Sequence, residues 1–154
     1  MKRDGSGVEE FIRVELPGNL FAAALTPNFP LETKKARKVL PEVYPKADVV
    51  YSLSRAVVSF AALAVGDAGK LACVDDKLHQ PYRIPLIPGY NEAVGALKDA
   101  DAICAFLSGA GPTVLGIFKE TPGLSRDSLA LSAPSGWTKR VLSFDNHGII
   151  AEGV

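Results

Sequence analysis

The stretch ICAFLSGAGPTVLGIF, Ile103 to Phe118, decides the fold. It holds two apolar runs, Ile103 to Leu107 and Val114 to Phe118, on either side of the loop Ser108-Gly109-Ala110-Gly111-Pro112-Thr113. Short apolar runs bounded by turn residues read as strands buried inside a sheet. A loop this brief joins them as antiparallel neighbours. Its glycines at alternate positions allow close approach of the backbone to another group, or convergence of N–H groups on an anion. The plainer alternative is a tight connection that needs positive φ. Either way the apolar flanks set the loop at the lip of a sheet.

Working outward, Phe11 to Leu16 alternates as a half-buried strand, and Pro17, Gly18 and Asn19 turn the chain. Leu20 to Thr26 is apolar nearly throughout, as a strand in mid-sheet would be. Leu31 to Leu40 reads as a short helix with Thr33 as a possible cap, ended by Pro41. The longest apolar run, Asp48 to Val65, carries Arg55 near its centre and Ser52, Ser54 and Ser59 along it. That is short and polar for a membrane span, and it is expected as the buried central helix of a soluble domain. A shorter helix is expected after Gly66–Gly69, reaching about Leu78. Pro81, Pro85 and Pro88 then argue against regular structure through HQPYRIPLIPG. Tyr90 to Lys98 reads as a helix, Ser125 to Leu131 as a weaker one, and Lys139 to Phe144 and Ile149 to Ala151 as strands. The mixture gives an α+β fold with an antiparallel sheet in one domain, residues 1–154.

Composition narrows the class of function. The chain has 154 residues, 47% hydrophobic and 22% charged, as a folded globular domain has. Seventeen Lys+Arg against seventeen Asp+Glu leave no net charge, so no nucleic acid or anionic membrane is expected as partner. Cys73 and Cys104 share no short motif and form neither a disulfide framework nor a zinc site, which fits a reducing cytoplasm. The start, MKRDGSGVEE, lacks the apolar segment of a signal peptide.

Arg55 sits within an apolar helix. A buried guanidinium needs a partner, and its fork suits a carboxylate or phosphate. An arginine lying along the helix edge, paired with Asp48 or Asp75, is the alternative. In HQPYR the prolines would present Arg83 at a set angle, although such a loop alone is more often only a connection, and His79 more often a surface or packed histidine than a base. Lys34, Lys35, Arg37 and Lys38 read as a solvated face rather than a phosphate site. Gly66 to Lys70 lacks the spacing of a P-loop, and no metal site or Ser/His/Asp set is recognisable. No catalytic residue is assigned.

Three segments, SRAVVSFAAL, DDKLHQPYRIPLIPGY and AFLSGAGPTVLGIF, in this order and spacing, resemble the C-terminal half of homoserine kinases of the GHMP kinase superfamily. SGAGPT is similar to the third conserved motif of GHMP kinases, and HQPYR followed by LIPGY narrows the likeness to homoserine kinase. The resemblance implies a ferredoxin-like layer of antiparallel strands with helices on one face. It implies ATP- and Mg²⁺-dependent phosphorylation of L-homoserine, a step toward threonine, with Arg55 and Arg83 binding the amino acid. Ser108, Gly109, Ala110, Gly111, Pro112 and Thr113 would form the glycine-rich loop near the active site. The family's P-x-x-x-G-L-G-S-S-A-A-type phosphate loop and its acidic Mg²⁺ ligand do not occur in these residues. ATP and Mg²⁺ are therefore not expected to bind tightly here, and the chain alone is expected to be inactive. Asp101 and Cys104 stand where the family usually has small residues. Expected partners are L-homoserine, an N-terminal kinase half in trans, and a second copy, because the strand over residues 10–16 would otherwise pair with that half. The alternative from another class is a non-catalytic amino-acid-binding or regulatory module.

Overall fold

The computed structural model describes residues 14–71 and 75–147, together with the backbone of the short pair β1 (Arg3–Asp4) and β2 (Gly7–Val8). The expected strand Ile149–Ala151 lies outside the described residues, as do residues 10–13 of the expected strand 10–16. Its described end, Val14 to Leu16, is in no strand. Leu16 is instead clipped by Asn146, whose Oδ1 accepts the Leu16 N–H and whose Nδ2 donates to the Leu16 carbonyl, both at 2.9 Å.

Four strands make the main sheet: β3 (Leu20–Pro27), β4 (Cys104–Leu107), β5 (Val114–Lys119) and β6 (Trp137–Ser143), ordered β4-β5-β3-β6 and antiparallel throughout. The helices are α1 (Thr33–Lys38), α2 (Lys46–Val65), α3 (Ala68–Leu71), α4 (Gln80–Arg83) and α5 (Tyr90–Asp99), with a 3₁₀ turn at Ile84–Leu86. The first sheet strand thus lies between the third and the fourth, as in a βαββαβ ferredoxin-like unit. No second crossover helix forms. Ser125–Leu131, expected as a weak helix, is a looped segment in which Ser125 and Ser128 bond to each other while Leu129 and Leu131 turn into the core. Serines that bond to nearby backbone favour turns over helix.

Strand alternation sorts the core into two faces. Phe21, Ala23 and Leu25 of β3 join Val114 and Phe118 of β5 and meet Tyr90, Ala93 and Leu97, one stripe of α5. Phe21 and Phe118 stack at 5.1 Å between ring centroids. On the other face, Leu20, Ala22, Cys104 and Ile117 meet Ala62 and Leu63 at the end of α2 and Leu71 of α3, with Ile103, Phe106 and Phe144 packed alongside. The helices therefore do not all share a face: α5 covers one, and the last turn of α2 touches the other.

Three expectations are corrected. Thr33 is the first residue of α1 and caps nothing; Glu32 holds the cap position with no side-chain bond. The helix expected to reach about Leu78 is described over Ala68–Leu71 and does not extend that far, since residues 75–79 are irregular. The prolines do not forbid helix, since Pro81 lies in the first turn of α4 and Pro85 in that of the 3₁₀ turn. There a missing N–H loses no bond.

The largest departure is α2. Expected as buried, it buries only Ser52 and Ala62, while Val50, Leu53, Val57 and Phe60 stand out on its open side. By length and composition alone it could cross a membrane. Val50, Leu53, Val57 and Phe60 recur every three or four residues, the spacing of a single apolar stripe along a helix. Periodicity reveals that such a stripe wants cover, and nothing among the described residues supplies it.

Candidate functional site

The loop Ser108–Thr113 closes the β4–β5 hairpin. Ser108 donates its N–H to the Thr113 carbonyl and accepts the N–H of Gly111, both at 2.9 Å. Two N–H groups of the loop are thus used within it, so the glycines serve the turn first. Gly109 and Gly111 have φ of +55 and +83, and the Gly111–Pro112 bond is cis. Thr113 Oγ1 lies 3.0 Å from Thr26 Oγ1, tying the loop's end to β3.

Arg83, in the last position of α4, reaches this loop. Its Nη1 donates to the Gly109 carbonyl at 2.8 Å and its Nε to the Ala36 carbonyl of α1 at 3.1 Å. The structure therefore brings Arg83 and the glycine loop together. Arg55 is not bonded to either. It packs over the Tyr51 ring, 4.9 Å from its centroid, and its buried Nε has no hydrogen-bond partner. The acids that could have neutralised it are engaged elsewhere: Asp48 pairs with Lys77 at 3.4 Å, and Asp75 accepts the Tyr51 hydroxyl at 2.8 Å. Among the described residues neither Arg55 nor Arg83 makes an ion pair. Lys34, Lys35, Arg37 and Lys38 are exposed around buried Ala36, the solvated face expected of them.

Between α2 and α4 lies a cavity of about 180 Å³, with Ser52, Ser59, Asp75, Asp76, His79 and Gln80 on its walls. The Ser59 hydroxyl and His79 Nδ1 are buried there without partners. Burial, aided by the nearby charge of Arg83, holds His79 below its ordinary pKa although Asp76 pulls the other way. Its 3.3 Å contact with Asp76 is accordingly that of a neutral ring. Burial would raise the Asp76 carboxyl, but N–H groups of His79, Gln80 and Leu78 outweigh it and keep it below the usual range. Burial lifts the Cys104 thiol to about 11, so it is inert at neutral pH.

Asp76 and Gln80 were not singled out by sequence reasoning. The signal was present: an Asp shortly before a Gln-Pro pair is a helix start, with proline in the first turn. Among the described residues no group of three or more His, Cys, Asp or Glu could hold a metal.

Comparison with known proteins bears on the family and the fold. Residues 56–133 match the family described as GHMP kinases C terminal. Homoserine kinase of Moorella thermoacetica is 39% identical over 142 residues, covering 90% of this chain and 48% of that protein. That of Deinococcus radiodurans is 43% identical over 106 residues, 68% of this chain and 34% of that one. The crystal structure of homoserine kinase from Cytophaga hutchinsonii shares the fold, with a TM-score of 0.73 at 23% identity over 86% of this chain and 44% of that chain. The chain thus spans about half the length, or less, of the relatives it matches. Matched over half its residues, and with the antiparallel α+β sheet the resemblance implies, this chain belongs to the GHMP kinase family as a C-terminal domain.

Proposed function

We propose that this chain is the substrate-binding part of a homoserine kinase. Arg55 and Arg83 clamp the α-carboxylate of L-homoserine and orient its side-chain hydroxyl for phosphorylation. The observation that carries this reading is the bonding of Arg83, fixed by two neutral carbonyls, one of them in the glycine loop, with no acid paired to it. A guanidinium held that way keeps its charge and the rest of its fork for an incoming carboxylate. Arg55, which packs over Tyr51, likewise has no acid paired to it among the described residues. A buried N–H without an acceptor costs about 1–3 kcal/mol, which a bound carboxylate would relieve.

The family-type phosphate loop does not occur in this sequence, and among the described residues no group of three or more His, Cys, Asp or Glu could hold Mg²⁺. In this reading the loop and the Mg²⁺ ligands both belong to the half of the relatives' length that this chain does not span. That half also covers the open side of α2, and without it α2 drives self-association. Activity then requires both halves in one complex.

Kinetics on the chain combined with a nucleotide-binding half test the clamp. Arg83→Lys keeps the charge and loses the fork. It is expected to raise the KM for homoserine about 10–100-fold while moving that for ATP little. Equal rises in both, or no rise, would exclude Arg83 from the amino-acid site.

A further inference from the structure

A helix of four residues has no stability of its own, since a single turn does not repay its nucleation. The position of α4, and with it that of Arg83, is therefore dictated by whatever holds the turn from outside. Tyr44 does so through its ring, edge-on to Tyr82 of α4 at 6.1 Å between centroids, and through its hydroxyl, which donates to the Leu78 carbonyl at 2.8 Å. Two further side chains bond to the helix and its entry. Asp76 sits just ahead of α4, and its Oδ1 accepts the N–H groups of Leu78 and His79, both at 2.6 Å. Its Oδ2 accepts that of Gln80 at 3.2 Å. This one carboxylate thus orients the entry to the helix. Gln80, 8% exposed, then ties the helix to the sheet, where its Oε1 accepts the Leu107 N–H at 2.8 Å and lies 3.5 Å from the Tyr90 hydroxyl.

The place of that second bond matters. Strand β4 is an edge of the sheet, so the side chain of Gln80 stands where a neighbouring strand would otherwise receive the Leu107 N–H. Leu107 is also the last residue before the glycine loop. One turn further along α4, Arg83 returns to the same loop through the Gly109 carbonyl. Helix and loop are consequently pinned to each other at two points, on either side of Ser108.

We propose that Asp76 and Gln80 are positioning residues that hold Arg83 in register with the glycine loop, so that its free N–H groups meet the substrate carboxylate at a fixed distance and angle. This rests on the reading of Arg83 given above. Neither residue touches substrate. Asp76 sets the direction of α4, and Gln80 sets its distance from β4.

The test uses the chain combined with a nucleotide-binding half for kinetics, and the chain itself for amide hydrogen exchange. Gln80→Met keeps the length and buried volume but removes the acceptor. Exchange at Leu107 is expected to accelerate while the amides of β3 and β5 stay protected. The KM for homoserine is expected to rise about 10–100-fold with that for ATP within about twofold, the scale of a misplaced binding group. Should Gln80→Met fail to fold, the Asp76 series decides. Asp76→Asn retains one acceptor oxygen, so homoserine KM is expected to rise in the order wild type, Asp76→Asn, Asp76→Ala. Unchanged exchange at Leu107 would overturn the clasp. Faster exchange with an unchanged homoserine KM, or equal effects of Asp76→Asn and Asp76→Ala, would overturn the positioning role. A wild-type pair without homoserine-dependent turnover would refute the parent reading and this role with it, while the exchange result would still report whether the clasp exists.

Discussion

Replacing each loop glycine by alanine separates two reasons for a glycine. Gly111 has φ +83, and an alanine Cβ there would stand 3.0 Å from both Ile87 Cδ1 and Leu107 Cδ1. Those neighbours are 3% and 2% exposed, so they have little room to yield. The left-handed backbone costs a side-chain-bearing residue about 1–2 kcal/mol. Overpacking adds about 1–3 kcal/mol, and the stiffer unfolded chain returns about 0.4–1 kcal/mol. Gly111→Ala is therefore expected to destabilise by about 2–3 kcal/mol. At Gly109, φ is +55 and nothing lies within 4 Å of the added carbon. Only the backbone term applies, so Gly109→Ala is expected to destabilise by about 0.5–1 kcal/mol. Urea unfolding with linear extrapolation resolves the difference. Equal effects, or Gly111→Ala the milder, would refute the packing argument. Because the space at Gly109 is open beside the carbonyl that anchors Arg83, Gly109→Ala is expected to harm homoserine binding out of proportion to its effect on stability.

Three further outcomes follow from the geometry. Asp101, at φ +67, closes α5 with bonds from its own N–H to Lys98 and from Ala102 to Leu97, the pattern that favours glycine at its position. Asp101→Gly is expected to raise unfolding free energy by about 0.5–1 kcal/mol, and a loss would contradict this. His79 has a folded pKa below its unfolded one of about 6.5, so its contribution to stability is full above that pH and lost as pH falls through the lower value. The urea midpoint should drop on acidification below about pH 6.5, and His79→Gln should flatten that limb; an unchanged slope in the variant would exclude His79 as its source. Exposed Val50, Leu53, Val57 and Phe60 predict dimers or larger species by light scattering, shifting to monomer when Leu53 and Val57 become Glu; a monomeric wild type would refute this.

The parts of the fold that were legible in sequence are those where side-chain pattern and burial coincide. Leu20–Thr26 and the pair flanking the glycine loop are buried strands because their apolar runs are short and end in turn residues. The α2 helix was legible as an element but not in its environment. Hydrophobicity states what must be covered, not what covers it. Proline misled at α4, where it reads as a breaker unless its position within the turn is known. Arg55, Arg83 and the loop stood out as candidates because unusual residues lay in apolar or glycine-rich surroundings, and the structure joins Arg83, but not Arg55, to the loop. Asp76 and Gln80 were missed because their roles are made by hydrogen bonds to backbone, which leave little trace in residue type. The alternative pairing of Arg55 with Asp48 or Asp75 is not made, because Lys77 takes the one and Tyr51 the other, which only three dimensions reveal.

Homoserine-dependent ADP release tests the central claim most directly, measured on the chain alone, on a separately prepared nucleotide-binding half, and on the two mixed. Release only from the mixture, lost with Arg83→Ala in this chain, is the predicted result. Turnover by the chain alone at rates typical of kinases, or a mixture indifferent to homoserine or to Arg83, would contradict it.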